Sequence, residues 1–153
     1  MKIREKIGAD FITAMKAKDE VAKMALNSIK AAITVAEKAN GNIELEDSEV
    51  LKIITKGIKQ REESIAIFEK GGRPELAHKE AAEAVVLRNY MPAQMNEQEI
   101  ADALTGIMQG FSGVITNPQA LIGKTIGEFN KQYQGCADIG TVKGLVNQLI
   151  HEL

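Results

Sequence analysis

Few residues of this chain could carry out chemistry, because it holds two histidines, His78 and His151, and one cysteine, Cys136. A catalytic nucleophile or acid–base group needs a partner that holds it in place. His78 lies in an alanine-rich segment, His151 lies near the C-terminus, and no base is close to Cys136 in the sequence. The sequence therefore predicts no catalytic residue.

No metal or cofactor site is predicted either. Two isolated histidines and one cysteine do not form a zinc set, and the acidic run at residues 44–49 lacks the spacing of an EF-hand. Gly123-Lys124-Thr125 resembles the end of a phosphate-binding Walker A loop, but Pro118 occupies the position of that loop's first glycine. We instead expect a packing role for Gly123 and Gly127, which share one helix face and would let a neighbouring backbone approach closely.

A basic stripe is predicted on the third helix, where Lys52, Lys56 and Lys59 follow one face. Such a stripe either contacts phosphates or an acidic partner, or it is simply a solvated face. Glu63 lies four residues after Lys59 and can form a local ion pair with it, which favours the solvated face.

Arg61 has a different setting on the same helix. It lies seven residues after Ile54 and seven before Phe68, and therefore on or beside the apolar seam. We expect a buried arginine between helices, paired with Glu80 or Glu83.

Apolar residues recur with helical periodicity nearly throughout the chain, and no segment alternates cleanly with period two. Capping signals divide this pattern into seven helices. The residues predicted to cap helix N-termini are Asp19, Asp47, Ser48, Asn96, Asn117 and Asp138. Gly71 and Gly72 are predicted to supply the left-handed residue that ends the third helix.

The charged residues are unevenly distributed along the 153 residues, although the net charge is only −2. Residues 1–95 carry 16 basic and 15 acidic side chains, and residues 96–153 carry 3 and 6. Five glycines fall in the first part and eight in the second. We predict an all-α protein with an N-terminal four-helix subdomain at residues 1–92 and a C-terminal three-helix module at residues 96–153.

Composition also limits the environment of the chain. One cysteine excludes an internal disulfide, and charges near the N-terminus interrupt any secretory signal, so we expect a cytoplasmic location. The longest uncharged stretch, residues 103–123, contains four glycines and a proline, which does not suit a membrane span. No membrane contact is predicted.

Three segments resemble one known family. The stretch KQREESIAIFEKGGRPELAHKEAAEAVVLRNYMPAQMNEQEI at residues 59–100 resembles the central part of the YqeY family of small bacterial proteins. Residues 14–33 are similar to that family's N-terminal pattern, and residues 122–150 to its glycine-marked C-terminal pattern. The C-terminal part is also similar to the tail domain of the B subunit of the tRNA-dependent Asp/Glu amidotransferase.

The resemblance implies an all-α accessory module linked to tRNA, or to the machinery of tRNA-dependent amidation. Kinship alone would make it an amidotransferase-like carbon–nitrogen ligase with glutamine as amido donor, although no catalytic constellation is visible. The candidate contacts to nucleic acid are Asn117, Lys124, Lys131 and Lys143. Cys136 stands where the family usually has arginine, so one cation is missing. The alternative is a protein-interaction adaptor with no role in nucleic-acid binding.

Overall fold

The computed structural model describes residues 1–152, which form seven helices. These are α1 (Ile3–Ala17), α2 (Glu20–Ala39), α3 (Asp47–Lys70), α4 (Pro74–Arg88), α5 (Glu97–Phe111), α6 (Pro118–Gln132) and α7 (Ile139–His151). No strand occurs in this part of the chain, which confirms the predicted all-α class. Within the same residues, no helix is both long and apolar enough to cross a bilayer.

The chain divides into two compact units. Unit 1 is Met1–Met91 and holds α1 to α4, and unit 2 begins at Pro92 and holds α5 to α7. In unit 1, α3 packs most extensively against α4, and α2 contacts the other three helices. The buried core of unit 1 consists of Ile7, Ala25, Leu26, Ile29, Ile33, Leu45, Val50, Ile54 and Leu87.

Side-chain caps begin four of the helices at the predicted residues. Asp19 accepts a hydrogen bond from the Ala22 N–H at the start of α2. Asn96 and Glu99 form a complete capping box at α5, with bonds of 2.8 and 3.1 Å. The caps of α6 and α7 are Asn117 and Asp138. Each cap satisfies backbone donors that would otherwise lack partners inside the helix.

The prediction for the N-terminus of α3 was wrong in one respect. Asp47 is not the N-cap but the first helical residue, and Glu46 precedes it without a capping bond from its side chain. The Asp47 carboxylate instead accepts the backbone N–H of Ile3 at 2.9 Å, so it links α3 to the start of α1. At the other end of α3, the left-handed residue is Gly72, with a φ of 71°.

Arg61 lies where α2, α3 and α4 meet. Its Nη1 donates to the carbonyl oxygen of Gly57 at 3.1 Å, and its Nη2 donates to Ser28 Oγ at 2.9 Å and to Glu83 Oε1 at 3.3 Å. Of the two partners proposed from the sequence, the structure has Glu83. Only 11% of the Arg61 side chain and 7% of the Glu83 side chain are exposed. A Cβ atom on Gly57 would lie 2.9 Å from Ile29 Cδ1, so α2 and α3 approach closely here.

The Arg61–Glu83 pair gives the first prediction. Arg61→Met leaves the Glu83 carboxylate buried without a cation, and we expect it to lower the free energy of unfolding of unit 1 by about 3–5 kcal/mol. Urea titration followed by Tyr90 fluorescence, in a Tyr133→Phe background, reports unit 1 alone. Arg88→Met is the matched control, because its bond to Glu62 is exposed and worth at most about 1 kcal/mol. Equal losses in the two variants would contradict a buried, helix-joining role.

An ion pair also joins α1 to α2. Arg4 Nε and Nη2 donate to Glu37 Oε2 and Oε1 at 2.6 and 2.9 Å, and the Leu45 N–H donates to the same carboxylate at 3.0 Å. The hydrogen bond from Arg4, followed by that from Leu45, holds the pKa of Glu37 below its ordinary value. The contact ties the chain after α2 to the first helix.

Because the pKa of Glu37 is lower in the folded state than in the unfolded state, its ionised carboxylate stabilises unit 1, and this stabilisation is lost in acid. Stabilisation is complete above the unfolded pKa of about 4.3 and disappears as the pH falls through the lower folded pKa. We expect Glu37→Gln to be less stable than wild type at pH 7, and the difference to shrink below about pH 4.5. Urea titrations at several pH values measure this. A difference that stays constant down to pH 2.5 would contradict it.

Candidate functional site

Two shallow hollows lie side by side along α5 and α6 in unit 2. One is lined by Phe111, Ala120, Gly123, Lys124, Gly127 and Glu128. The other is lined by Asp102, Ala103, Gly106, Ile107, Gly110, Phe111, Glu128, Gln132 and Tyr133. Because Phe111 and Glu128 belong to both, the hollows form one continuous surface, which we call the α5–α6 groove.

The groove is supported by a small core. Beneath it, α5, α6 and α7 pack together through five buried residues, namely Ile100, Leu104, Phe129, Val142 and Val146. The rings of Phe129 and Tyr133 have centroids 5.0 Å apart, so the aromatic residue at the groove rests on one in the core. Thr125 is also fully buried, and its Oγ1 has no hydrogen-bond partner among the described atoms.

Four glycines line the groove in pairs of residues four apart. They are Gly106 and Gly110 on α5, and Gly123 and Gly127 on α6. All four are exposed, and a Cβ built on any of them would meet no atom within 4 Å. The expected close approach of a neighbouring backbone to Gly123 and Gly127 is therefore wrong, because both face open space.

Glycine lowers the stability of a helix at positions such as these, and no contact or backbone conformation compensates for that loss here. None of the four has the positive φ that requires glycine. A glycine in a helix interior costs about 1 kcal/mol relative to alanine. Neither backbone conformation nor packing within the unit explains why glycine stands at these positions.

The three lysines of unit 2 are exposed, and none has a carboxylate oxygen within 4 Å in residues 1–152. Lys124 lines the groove. Lys131, seven residues later, falls on the same stripe of α6, about 10 Å further along the helix axis. Lys143 lies on α7 and lines neither hollow. The structure thus places two of the predicted contacts on one stripe and the third on another helix.

Two carboxylates that line the groove accept hydrogen bonds from glutamine side chains. Gln132 Nε2 donates to Glu128 Oε1 at 2.8 Å, and Gln98 Nε2 donates to Asp102 Oδ1 at 2.8 Å. Glu128 lies between Lys124 and Lys131 in the α6 sequence and interrupts the positive stripe. The net charge of the surface therefore stays low despite the unpaired lysines.

Both oxygen atoms of Asn117 accept backbone N–H groups at the start of α6. Its Oδ1 accepts the backbone N–H groups of Gln119 and Ala120 at 2.9 and 3.5 Å, and its carbonyl accepts that of Leu121. Pro118 has no N–H to offer. Since the N-terminal donors of α6 are already engaged, this helix end is a poor phosphate site.

The residues with catalytic potential lie on separate elements of the chain. His78 and His151 are exposed, and they lie in different units. Cys136 is half-buried in the loop between α6 and α7, where its Sγ is 3.7 Å from the Gln134 carbonyl oxygen. Among residues 1–152, no group of three or more His, Cys, Asp or Glu side chains could hold a metal ion.

The loop around Cys136 instead accepts two hydrogen bonds from the segment that precedes α5. The Met95 N–H donates to the Cys136 carbonyl oxygen at 2.8 Å, and Gln94 Nε2 donates to the Gly135 carbonyl oxygen at 2.7 Å. Gly135 has a φ of 74°, which favours glycine at this turn. The segment before α5 is thereby held against the loop before α7.

The model of the family described as Yqey-like protein matches residues 4–150, nearly the whole chain. The chain belongs to the YqeY family. A relative from Kluyveromyces lactis, named altered inheritance of mitochondria protein 41, mitochondrial, is 34% identical over 84 residues. That match covers 55% of this chain and 45% of the yeast protein.

The glycines of the groove give a prediction about stability. Gly106→Ala and Gly127→Ala replace interior helical glycines without a clash, and we expect each to raise the free energy of unfolding of unit 2 by up to about 1 kcal/mol. Tyr133 fluorescence in a Tyr90→Phe background measures this in urea. Gly113→Ala is the control and should destabilise the unit, because the φ of Gly113 is 82°. Destabilisation by Gly106→Ala would show that this glycine has a structural role.

Proposed function

We propose that this YqeY-family protein is an accessory binding module that contacts tRNA, in the cytoplasm, through Lys124, Lys131 and Lys143 of unit 2. The proposal rests on one observation: all three lysines are exposed, and none has a carboxylate partner in the described chain. A lysine without an internal partner can meet a phosphate without first breaking an ion pair. Release of counterions from the phosphates then drives binding.

The family resemblance supports the choice of tRNA. Residues 122–150 resemble the tail domain of the tRNA-dependent amidotransferase B subunit, and they contain all three lysines. We assign no step of the amidation reaction to this chain. Its part would be to engage tRNA for proteins that carry out the chemistry.

The salt dependence of tRNA binding tests the proposal. If three lysines contact phosphates, affinity should fall about 20- to 40-fold between 50 and 200 mM salt. A gel-retardation titration of total tRNA with the full chain measures this. Replacing all three lysines by glutamine should weaken binding at 50 mM salt and flatten the salt dependence.

The third helix offers a matched control. Lys52, Lys56 and Lys59 are also exposed and without a carboxylate partner in the described chain, so their triple glutamine variant makes the same change in net charge on another surface. We expect it to retain most of its tRNA affinity. Equal weakening by the two triple variants would indicate non-specific attraction, and no retardation at 50 mM salt would exclude tRNA.

A protein-interaction adaptor is the second candidate, and the α5–α6 groove favours it. The groove combines apolar walls with glycines that the fold of the unit does not need. Surfaces that dock another protein have this character, since an apolar centre surrounded by polar residues is typical of interfaces. An adaptor without a nucleic-acid role would leave tRNA unretarded, so the same titration separates the two candidates.

A further inference from the structure

We propose that the turn after α2 is a site of spontaneous chemical modification, at which Asn40 loses its side-chain amide and becomes aspartate or isoaspartate. The reaction takes place within the chain and needs only water. Because α2 belongs to unit 1, this site is independent of the tRNA contact proposed for unit 2 and can be tested separately.

The reaction joins two neighbouring groups. The backbone nitrogen of Gly41 attacks the side-chain carbonyl carbon, Cγ, of Asn40, and a five-membered succinimide ring forms. The amide nitrogen of Asn40 leaves as ammonia, with the proton of the Gly41 N–H. Water then opens the ring at either carbonyl, which gives aspartate or isoaspartate. Each modified residue has thus consumed one water molecule and released one ammonia.

Asn40 is the one asparagine of this sequence that glycine follows. A side chain on the following residue hinders the approach of its nitrogen to Cγ, and glycine has none. Among the seven other asparagines, Asn117 precedes Pro118, which has no N–H to react, and Asn42 precedes the β-branched Ile43. The sequence therefore favours modification at Asn40 over the other asparagines.

The structure leaves both reacting groups accessible. Asn40 is the C-cap of α2, and both Asn40 and Gly41 are exposed. No hydrogen bond holds the side-chain amide of Asn40 in the part of the chain that the structure describes. A Cβ atom on Gly41 would meet nothing within 4 Å, so the space around the attacking residue is open.

Two backbone hydrogen bonds oppose the reaction. Asn40 has a ψ of 26°, and its backbone has to rotate before the Gly41 nitrogen can face Cγ. This rotation breaks the bond from the Gly41 N–H to the Lys38 carbonyl, which is long at 3.4 Å, and the 2.8 Å bond from the Asn42 N–H to the Glu37 carbonyl. Both bonds lie at the end of a helix, where opening costs little free energy. The reaction therefore proceeds from a briefly opened turn.

The product would weaken the end of α2. Aspartate at position 40 places a negative charge at the C-terminus of the helix, where the helix dipole is itself negative. Isoaspartate adds one carbon to the main chain between Glu37 and Leu45. Because the Glu37 carboxylate binds both Arg4 and the Leu45 N–H, we expect the modification to loosen the segment after α2 from the first helix.

Timed incubation of the full chain at about pH 8 and 37 °C tests the proposal. Peptide mapping by mass spectrometry follows each asparagine, and enzymatic carboxyl methylation detects isoaspartate. We expect Asn40 to react at least tenfold faster than Asn89, the matched control, which is also an exposed C-cap but precedes tyrosine. Lowering the pH to about 5 should slow the reaction at Asn40 at least tenfold, because the Gly41 nitrogen attacks in its deprotonated form.

Two variants complete the test. Asn40→Gln keeps an exposed amide but would have to close a six-membered ring, so we expect it to abolish the isoaspartate signal. Asn40→Asp should unfold at a lower urea concentration than wild type at pH 7, as measured by Tyr90 fluorescence in a Tyr133→Phe background. An Asn40→Asp variant as stable as wild type would overturn the expected weakening of α2.

Three results would overturn the modification site itself. The first is an equal rate at Asn40 and Asn89, and the second is an isoaspartate signal that persists in Asn40→Gln. The third is a rate at Asn40 that is at least tenfold slower in the folded chain than in the chain unfolded by urea at the same pH. That result would show that the two backbone hydrogen bonds protect the turn.

Discussion

The burial of one apolar stripe per helix is the constraint on which both units depend. Helices of 13–15 residues are marginal in water by themselves, so α5, α6 and α7 owe their stability to the core they share. That core is a cluster of five buried apolar residues, and the same unit also buries Met108, Leu121 and the hydroxyl of Thr125. The buried residues of unit 2 thus serve its packing, and we look for binding on its outward surfaces.

Unit 1 also buries an ion pair between its helices, in addition to its apolar stripes. It admits a guanidinium and a carboxylate between three helices, where the Arg61 and Glu83 side chains are almost fully buried. A buried ion pair adds little net stability compared with apolar residues of the same shape, but it tolerates only one arrangement of its donors and acceptors. Arg61 also binds Gly57 and Ser28, so a shift of α2 or α4 relative to α3 would break these contacts.

The helices and most of their caps could be predicted from the sequence because both are local properties. Asn96 and Glu99 lie within one turn of each other, and their bonds need nothing from the rest of the chain. Asp47 was assigned wrongly because its carboxylate binds Ile3, which is 44 residues away in sequence. The choice between Glu80 and Glu83 for Arg61 likewise depends on how α4 lies against α3.

The groove was the part that the sequence did not reveal. A pair of glycines four residues apart indicates a bare strip on a helix, but not whether that strip faces a neighbour or the solvent. The spacing of Gly123 and Gly127 predicts internal packing, and Gly106 and Gly110 have the same spacing. Only the packing of α5 against α6 brings the two strips together.

The fastening of residues 94 and 95 to the α6–α7 loop uses only backbone atoms of that loop. Both bonds end on main-chain oxygen atoms, those of Gly135 and Cys136. The side chain at position 136 therefore takes no part in either hydrogen bond. A substitution at position 136 would therefore change the size or charge of this surface without removing a hydrogen-bond acceptor of residues 94 and 95.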